Sequence, residues 1–180
     1  MTDTTHPAHA PELTDAEEWL LSFMRMTARD RGGWAYGTLA GLLLDRGRIF
    51  TPAPWPGGEE PPGEPGRCFI DSVSWAWAAG GAFAYVEGWA LDPWMQQEAH
   101  AWCAGTDGTA LDPTWRTPGR AYVGLPVEAE AAARIMSEAG GPLLHGRGGL
   151  ISSTAERWMR DGIPDGLLVD VGRPIPRISP

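Results

Sequence analysis

The chain has 180 residues and a formal net charge of −9, with 43% apolar and 21% charged residues. This is an ordinary globular composition, and it excludes a chain that is disordered because it lacks apolar surface to bury. The acidic balance argues against nucleic acid as a partner, because binding to phosphates needs clustered cations. A membrane is not expected as a partner either, because no apolar stretch is long enough to span a bilayer.

The first residues differ in character from the rest of the chain. Residues 1–13 are polar and aperiodic, so they predict a mobile tail, and no basic cluster precedes an apolar segment as in a secretory signal. Two cysteines do not make a disulfide framework, so a reduced cytoplasmic protein is the simplest interpretation. Residues 14–180 are long enough to form a single domain with its own core.

Two helices and a loop are predicted first. Thr14 and Glu17 have the spacing of a capping box, and apolar residues follow at helical spacing until Gly32. A second, shorter helix is predicted over 38–44. The stretch 51–66 is rich in Pro and Gly and lacks apolar periodicity, so it predicts a long extended surface loop. A proline-rich ligand for a partner protein is the alternative interpretation of this stretch.

A helix, a strand and a hairpin are predicted after this loop. Residues 68–79 read as a helix that ends at a glycine pair, and residues 83–91 are typical of a strand. Residues 99–103 and 109–112 predict a hairpin, because the intervening Thr106-Asp107-Gly108 suits a three-residue loop with a left-handed glycine.

The remaining residues predict two amphipathic helices, over 128–138 and 152–159, and a last strand over 167–171. Strands that pair in a meander, with helices before and after them, favour an α+β fold over an alternating α/β fold.

His100 is the strongest candidate among the four histidines. Two others lie in the predicted tail, and His145 lies in a glycine-rich loop without phosphate-binding spacing. A hairpin loop over 106–108 pairs Trp102 with Asp112, so alternation places His100, Trp102 and Asp112 on one face. A carboxylate in that position fixes the tautomer of the imidazole and stabilises the imidazolium. A two-residue loop would instead put the two groups on opposite faces.

Cys68 is the candidate nucleophile, because it opens a predicted helix. The helix dipole and the free backbone N–H groups at a helix N-terminus favour a thiolate, and the same N–H groups can receive a developing oxyanion. Cys103 fits a buried structural thiol better, because it alternates away from the face that carries His100.

The ordered set of Cys68, His100-Ala101-Trp102 and Asp112-Pro113-Thr114 resembles the catalytic core of the transglutaminase-like branch of papain-like cysteine enzymes. The resemblance covers about residues 67–125. It implies a transglutaminase-like α+β core with extra helices, in which the helix carrying the nucleophile packs on a small antiparallel sheet. It also implies Cys68 as nucleophile, His100 as general base and then acid, and Asp112 as the orienting group.

The expected activity is therefore acyl transfer from an amide bond of a peptide or small amide substrate, through an acyl-enzyme and without a cofactor or metal. Water as acceptor gives a peptidase, amidase or deamidase, and an amine as acceptor gives a transamidase. Water is the default acceptor, because excluding it requires a closed site.

Three further residues are candidate substrate contacts. Trp102 and Trp115 belong to a concentration of tryptophans near the predicted site, which indicates an aromatic-walled cleft. Glu87 lies between apolar neighbours on a predicted strand and is a candidate for binding a substrate amine. A strand-end acid that faces water or pairs with an arginine is the alternative interpretation of Glu87. Asp92 is interpreted as a turn residue, because it precedes the histidine in the chain.

Two hypotheses from other classes stay open. A zinc site is compatible with the spacing of His100 and Cys103, with Cys68 and Asp112 as further ligands, although strand positions three apart point to opposite faces. A catalytically silent binding module of the same fold would use the tryptophans and the Pro-rich stretch. A selectively reactive thiol would favour the enzyme, whereas stoichiometric zinc removed by chelators would favour the metal site. The sequence predicts no oligomeric state.

Overall fold

A computed structural model of the chain describes residues 12–56 and 60–177, so the predicted mobile tail lies outside the described residues except for its last two positions. The predicted α+β class is confirmed. No described helix is long and apolar enough to cross a membrane. In chain order the elements are α1 (Asp15–Thr27), α2 (Leu39–Arg46), β1 (Arg48–Ala53), α3 (Cys68–Ala78), β2 (Phe83–Leu91), β3 (Gln97–Gly105), β4 (Thr109–Leu111), β5 (Ala121–Val127), α4 (Ala129–Ala139), α5 (Ser153–Asp161) and β6 (Arg173–Pro174).

Side-chain caps fix where four of the helices begin. The predicted capping box is confirmed: the Thr14 hydroxyl accepts from the Glu17 N–H, and the Glu17 carboxylate accepts from the Thr14 N–H. Helix α1 ends at Thr27, five residues before the predicted Gly32, because Ala28 adopts an extended conformation. The other three side-chain caps are Thr38, Glu128 and Ser152.

The strands form a mixed sheet that closes on itself. Their order is β4-β3-β2-β5-β1-β6, and an additional pairing of β4 with β1 joins the first five strands into a barrel. The β1–β4 pairing is parallel, so the prediction of an antiparallel sheet is wrong for this pair of strands. Strand β1 also includes residues 51–53 of the predicted loop. The prediction of a strand over 167–171 is wrong, because this segment contributes only an isolated bridge from Leu168 to Val127.

Alternation along the strands divides their side chains between two cores. The outer face of the barrel packs under the helices, and together they form the larger core. Its residues include Leu20 of α1, Leu43 of α2 and Leu125 of β5. The inner face is filled mainly by aromatic and small side chains, including Trp102, Tyr122 and Phe50. Strand β5 is buried along its whole length by these two layers, so its sequence shows no polar alternation.

Glycine allows the largest inner side chain to fit. Gly124 lies opposite Gly88 on paired strands, and a Cβ at Gly124 would be 2.8 Å from the Cη2 atom of Trp102. Trp102 therefore fills the barrel interior with its indole, which leaves the neighbouring His100 at the end of the barrel.

Candidate active site

The hairpin of β3 and β4 carries two of the predicted site residues. Cys103 pairs with Leu111 and Ala104 with Ala110, so the predicted hairpin register is confirmed. His100 and Asp112 lie on the inner face at the end of the barrel, and each is only 3% exposed. The Nε2 atom of His100 is 2.6 Å from Oδ2 of Asp112, which brings the imidazole and the carboxylate into a direct hydrogen bond.

Asp112 is held by donors on both of its oxygens. Oδ1 accepts from the Thr114 N–H at 2.9 Å, the Thr114 hydroxyl at 3.0 Å and the Trp115 N–H at 3.0 Å. Burial raises the pKa of Asp112, but the hydrogen bonds and the charge of His100 outweigh burial and hold the pKa below its ordinary value. An ionised carboxylate only accepts, so Nε2 of His100 is the donor and Nδ1 is the nitrogen left for another partner.

Cys68 is the first residue of α3, and the chain enters this helix through Gly66 in the left-handed conformation, with φ of 82°. The N-cap residue Arg67 makes no side-chain cap hydrogen bond. One turn later on the same helix face, the Ser72 hydroxyl donates to the Ala101 carbonyl at 2.9 Å. This bond fixes α3 to β3 next to His100, and it thereby brings the N-terminus of α3 to the end of the barrel.

The pKa of His100 reflects its burial and two neighbouring side chains. Burial lowers it, but the hydrogen bond that His100 donates to Asp112, the neighbouring Cys68 side chain and the charges of both outweigh burial and raise the pKa to about 9. The structure therefore brings His100 and Asp112 into direct contact and places Cys68 with His100 in the wall of one cavity.

Cys103 lies on the other face of β3, as predicted. Its thiol is buried under α3 and donates to the Ser72 carbonyl at 3.4 Å. Burial, followed by the charge of Asp112, raises the pKa of the Cys103 thiol to about 12. The zinc hypothesis needs Cys103 beside His100, and the structure separates these two residues. Within residues 12–56 and 60–177, no group of three or more His, Cys, Asp or Glu side chains is placed to hold a metal ion.

A cavity of about 740 Å³ opens next to these residues, and its lining includes Cys68 and His100. Trp115 forms part of its wall and stacks on the imidazole of His100, with ring centroids 3.9 Å apart and planes 20° apart. Trp102 does not line the cavity, because it is fully buried in the barrel behind His100. Phe69 and Trp94 complete the aromatic part of the wall. The predicted aromatic cleft therefore exists, with Trp115 but not Trp102 at its surface.

Glu87 lies on the outer face of β2, fully buried and away from the cavity. Its carboxylate accepts hydrogen bonds from the backbone N–H groups of residues 143, 144 and 145 at 2.7 to 2.9 Å, and from the Tyr85 hydroxyl at 2.8 Å. The prediction that Glu87 contacts a substrate is therefore wrong, and so is the alternative of a carboxylate that faces water or pairs with an arginine. Glu87 instead holds the loop that contains His145, whose Nδ1 is 3.1 Å from Oε1.

The charges in the cavity wall do not balance. Arg116 pairs with Glu60 at 3.2 Å, whereas Asp92 and Glu98 form no ion pair with any described side chain. Oδ1 of Asp92 accepts from two backbone N–H groups at 2.8 Å, so its prediction as a turn residue is confirmed. Glu98 precedes His100 by two residues on β3, so both project from the same face about 7 Å apart.

Two parts of the site were not predicted. The hydroxyl of Tyr122 donates to Oδ2 of Asp112 at 3.2 Å, and Tyr122 belongs to the unpredicted strand β5. The second part is the end of the Pro-rich stretch, where the Gly63 N–H donates to the Pro113 carbonyl at 2.7 Å. A Cβ at Gly63 would be 2.6 Å from that oxygen, so glycine permits the close approach that makes this segment a wall of the cavity.

Comparisons of the chain with protein-family models, with curated proteins and with solved structures found no match. The resemblance to transglutaminase-like enzymes consequently stays a prediction from the motifs.

Proposed function

We propose that the protein is a cysteine-dependent acyl-transfer enzyme that acts on amide bonds, with Cys68 as nucleophile, His100 as base and then acid, and Asp112 as the orienting group. The observation that carries this proposal is the hydrogen bond between His100 and Asp112 beside a cavity whose wall also contains Cys68. Because the pKa of His100 is about 9, the imidazole is basic enough to hold the thiol proton at neutral pH.

Before acylation, the thiol proton of Cys68 has passed to Nδ1 of His100, and in the acylation step the thiolate sulfur attacks the carbonyl carbon of the amide. The carbonyl π electrons move to the oxygen, whose negative charge is stabilised by the Cys68 backbone N–H at the N-terminus of α3. When the tetrahedral intermediate collapses, the C–N bond breaks and His100 protonates the leaving amine. The product is a thioester on Cys68.

In the deacylation step, a water molecule gives a proton to His100 as its oxygen attacks the thioester. The C–S bond then breaks, the carboxylic acid leaves, and the sulfur regains the proton from His100. An amine acceptor follows the same proton path and gives a new amide. Water is the default acceptor, because the cavity wall includes side chains as exposed as Trp94, at 78%, so solvent reaches the site.

The substrate proposed is a peptide or small amide that is neutral or cationic. The cavity volume of about 740 Å³ lies within the roughly 300–1,000 Å³ of small-molecule sites. Phe69, Trp94 and Trp115 offer apolar contact surface, and the unpaired carboxylates of Asp92 and Glu98 disfavour an anion. The same carboxylates are compatible with a cation stacked on the indole rings.

Limiting chloroacetamide at pH 7, followed by mapping of the modified peptide, tests the proposal. Cys103 is the only other cysteine in the chain, so Cys103→Ala is the matched control for Cys68→Ala. We expect Cys68 to be modified in the wild type and in Cys103→Ala, and no modification in Cys68→Ala. Modification of Cys103 in place of Cys68 would overturn the proposal, and a folded chain unreactive at Cys68 would favour the silent binding module.

A further inference from the structure

The hydroxyl of Tyr122 contacts the same carboxylate oxygen that holds His100. We propose that Tyr122 is a positioning residue that sets the strength of the hydrogen bond between Asp112 and His100, and thereby the pH at which His100 loses its proton. This inference rests on the proposed function for its catalytic meaning. The protonation of His100 is nevertheless measurable without turnover.

The two oxygens of Asp112 have different partners. Oδ1 accepts from three donors in the residues that directly follow, Thr114 and Trp115, and these donors fix the orientation of the carboxylate. Among the described residues, Oδ2 accepts from His100 at 2.6 Å and from Tyr122 at 3.2 Å. The orientation of Asp112 therefore does not depend on Tyr122, but the negative charge on Oδ2 is shared between Tyr122 and His100.

The hydroxyl of Tyr122 is itself oriented by a backbone donor. It accepts from the Gly119 N–H at 2.8 Å, and a hydroxyl that accepts a hydrogen bond donates more strongly. Only glycine fits at position 119, because a Cβ would be 2.5 Å from the Leu91 carbonyl oxygen and 2.8 Å from Cζ3 of Trp115. The result is a buried relay from the Gly119 N–H through Tyr122 to Asp112.

Tyr122 acts as a donor throughout the range in which His100 titrates. Burial, followed by the charge of Asp112, raises the pKa of Tyr122 well above its ordinary value. A donor on Oδ2 withdraws negative charge from the oxygen that stabilises the imidazolium. Removal of the hydroxyl is therefore expected to strengthen the bond between Asp112 and His100 and to move the loss of the His100 proton to higher pH.

Other charged or titratable groups also face His100, and the test leaves them unchanged. Cys68 approaches from α3, and Glu98 lies on the same face of β3. The cavity wall adds three more groups, which are Asp92, Arg116 and Glu60.

The experiment is an NMR titration of histidine ring signals in the wild type, Tyr122→Phe and Tyr85→Phe. Tyr85 is the matched control, because it is also buried and donates to a buried carboxylate, that of Glu87, on the outer face of the barrel. His100→Asn assigns the signal. We expect the His100 midpoint to rise by about half a pH unit in Tyr122→Phe, which is roughly a threefold change in proton affinity, and to stay unchanged in Tyr85→Phe.

An unchanged His100 midpoint in folded Tyr122→Phe would overturn the inference and leave Tyr122 with a structural role only. If Tyr122→Phe does not fold, 3-fluorotyrosine at position 122 keeps the contacts but donates more strongly, and the midpoint should then fall. An unchanged midpoint in that protein would overturn the inference equally. Failure of the proposed function is a separate result, because it shows as an unreactive Cys68 in the wild type.

Discussion

Asparagine at position 112 is expected to reverse one hydrogen bond in the site while it preserves the shape of the side chain. Three donors point at Oδ1 of Asp112, so the amide oxygen of the variant should occupy that position. The amide NH₂ group then faces Nε2 of His100 and, as a donor, requires that nitrogen to be unprotonated. The neutral imidazole carries its proton on Nδ1 instead, and it can no longer accept the proton of Cys68.

The size of the effect follows from the pKa of His100. A pKa of about 9 against an ordinary 6.5 corresponds to a roughly 300-fold higher proton affinity, or about 3 kcal/mol. The hydrogen bond that His100 donates to Asp112 is the largest of the contributions that raise this pKa. We therefore expect Asp112→Asn to slow the modification of Cys68 by chloroacetamide at pH 7 by about two orders of magnitude.

The assay measures rate constants of modification for the wild type, Asp112→Asn and Asp107→Asn, with thermal unfolding of each protein. Asp107 is a suitable control, because it accepts from the Thr109 N–H at 3.0 Å in the exposed loop of the same hairpin. Asp107→Asn should react like the wild type. A folded Asp112→Asn variant that reacts within threefold of the wild-type rate would refute the role given to Asp112.

Three further predictions concern stability and charge. Because folding raises the pKa of His100, the stabilising contribution of this residue should be complete below pH 6.5 and lost as pH rises through about 9. Alkaline pH should therefore lower the unfolding temperature of the wild type more than that of His100→Gln. An equally steep loss in both proteins would contradict this. In Glu87→Gln, an NH₂ group faces the N–H and O–H groups that donate to the carboxylate in the wild type. Urea unfolding should therefore show that the free energy of unfolding falls by about 2 kcal/mol, with Cys68 reactivity unchanged. Slower reaction of Cys68 without destabilisation would contradict the outer-face role of Glu87. Glu98 lies about 7 Å from His100 in the wall that also contains Cys68. At a separation of that order, its charge should favour a cationic over a neutral methanethiosulfonate at Cys68 by roughly threefold, a preference that Glu98→Gln should remove. The same rate ratio in both proteins would exclude Glu98 from substrate selection.

The hairpin that carries the site could be predicted because its register depends on local chemistry. Gly108 adopts the left-handed conformation, with φ of 81°, as the loop over 106–108 requires. Once the register is fixed, alternation alone decides that His100 and Asp112 share a face and that Cys103 does not.

The barrel and the full environment of the site could not be predicted in the same way. Strand β5 is buried on both faces, so it lacks the alternation that reveals a strand, and Tyr122 therefore had no predicted place. Glu87 alternates onto the outer face, but the loop that binds its carboxylate comes from residues 143–145, far along the chain. Local patterns assign a residue to a face, whereas the segment that covers this face depends on tertiary packing.

The most direct test of the account is detection of the acyl-enzyme. The folded protein is mixed with p-nitrophenyl acetate, quenched with acid at early times and mapped by peptide mass spectrometry. We expect one acetyl group on Cys68 that hydroxylamine removes, as for a thioester, and none on Cys68 in His100→Gln at the same times. An acetyl group on Cys103, or a folded wild type that acquires none, would contradict the assignment of Cys68 as the nucleophile.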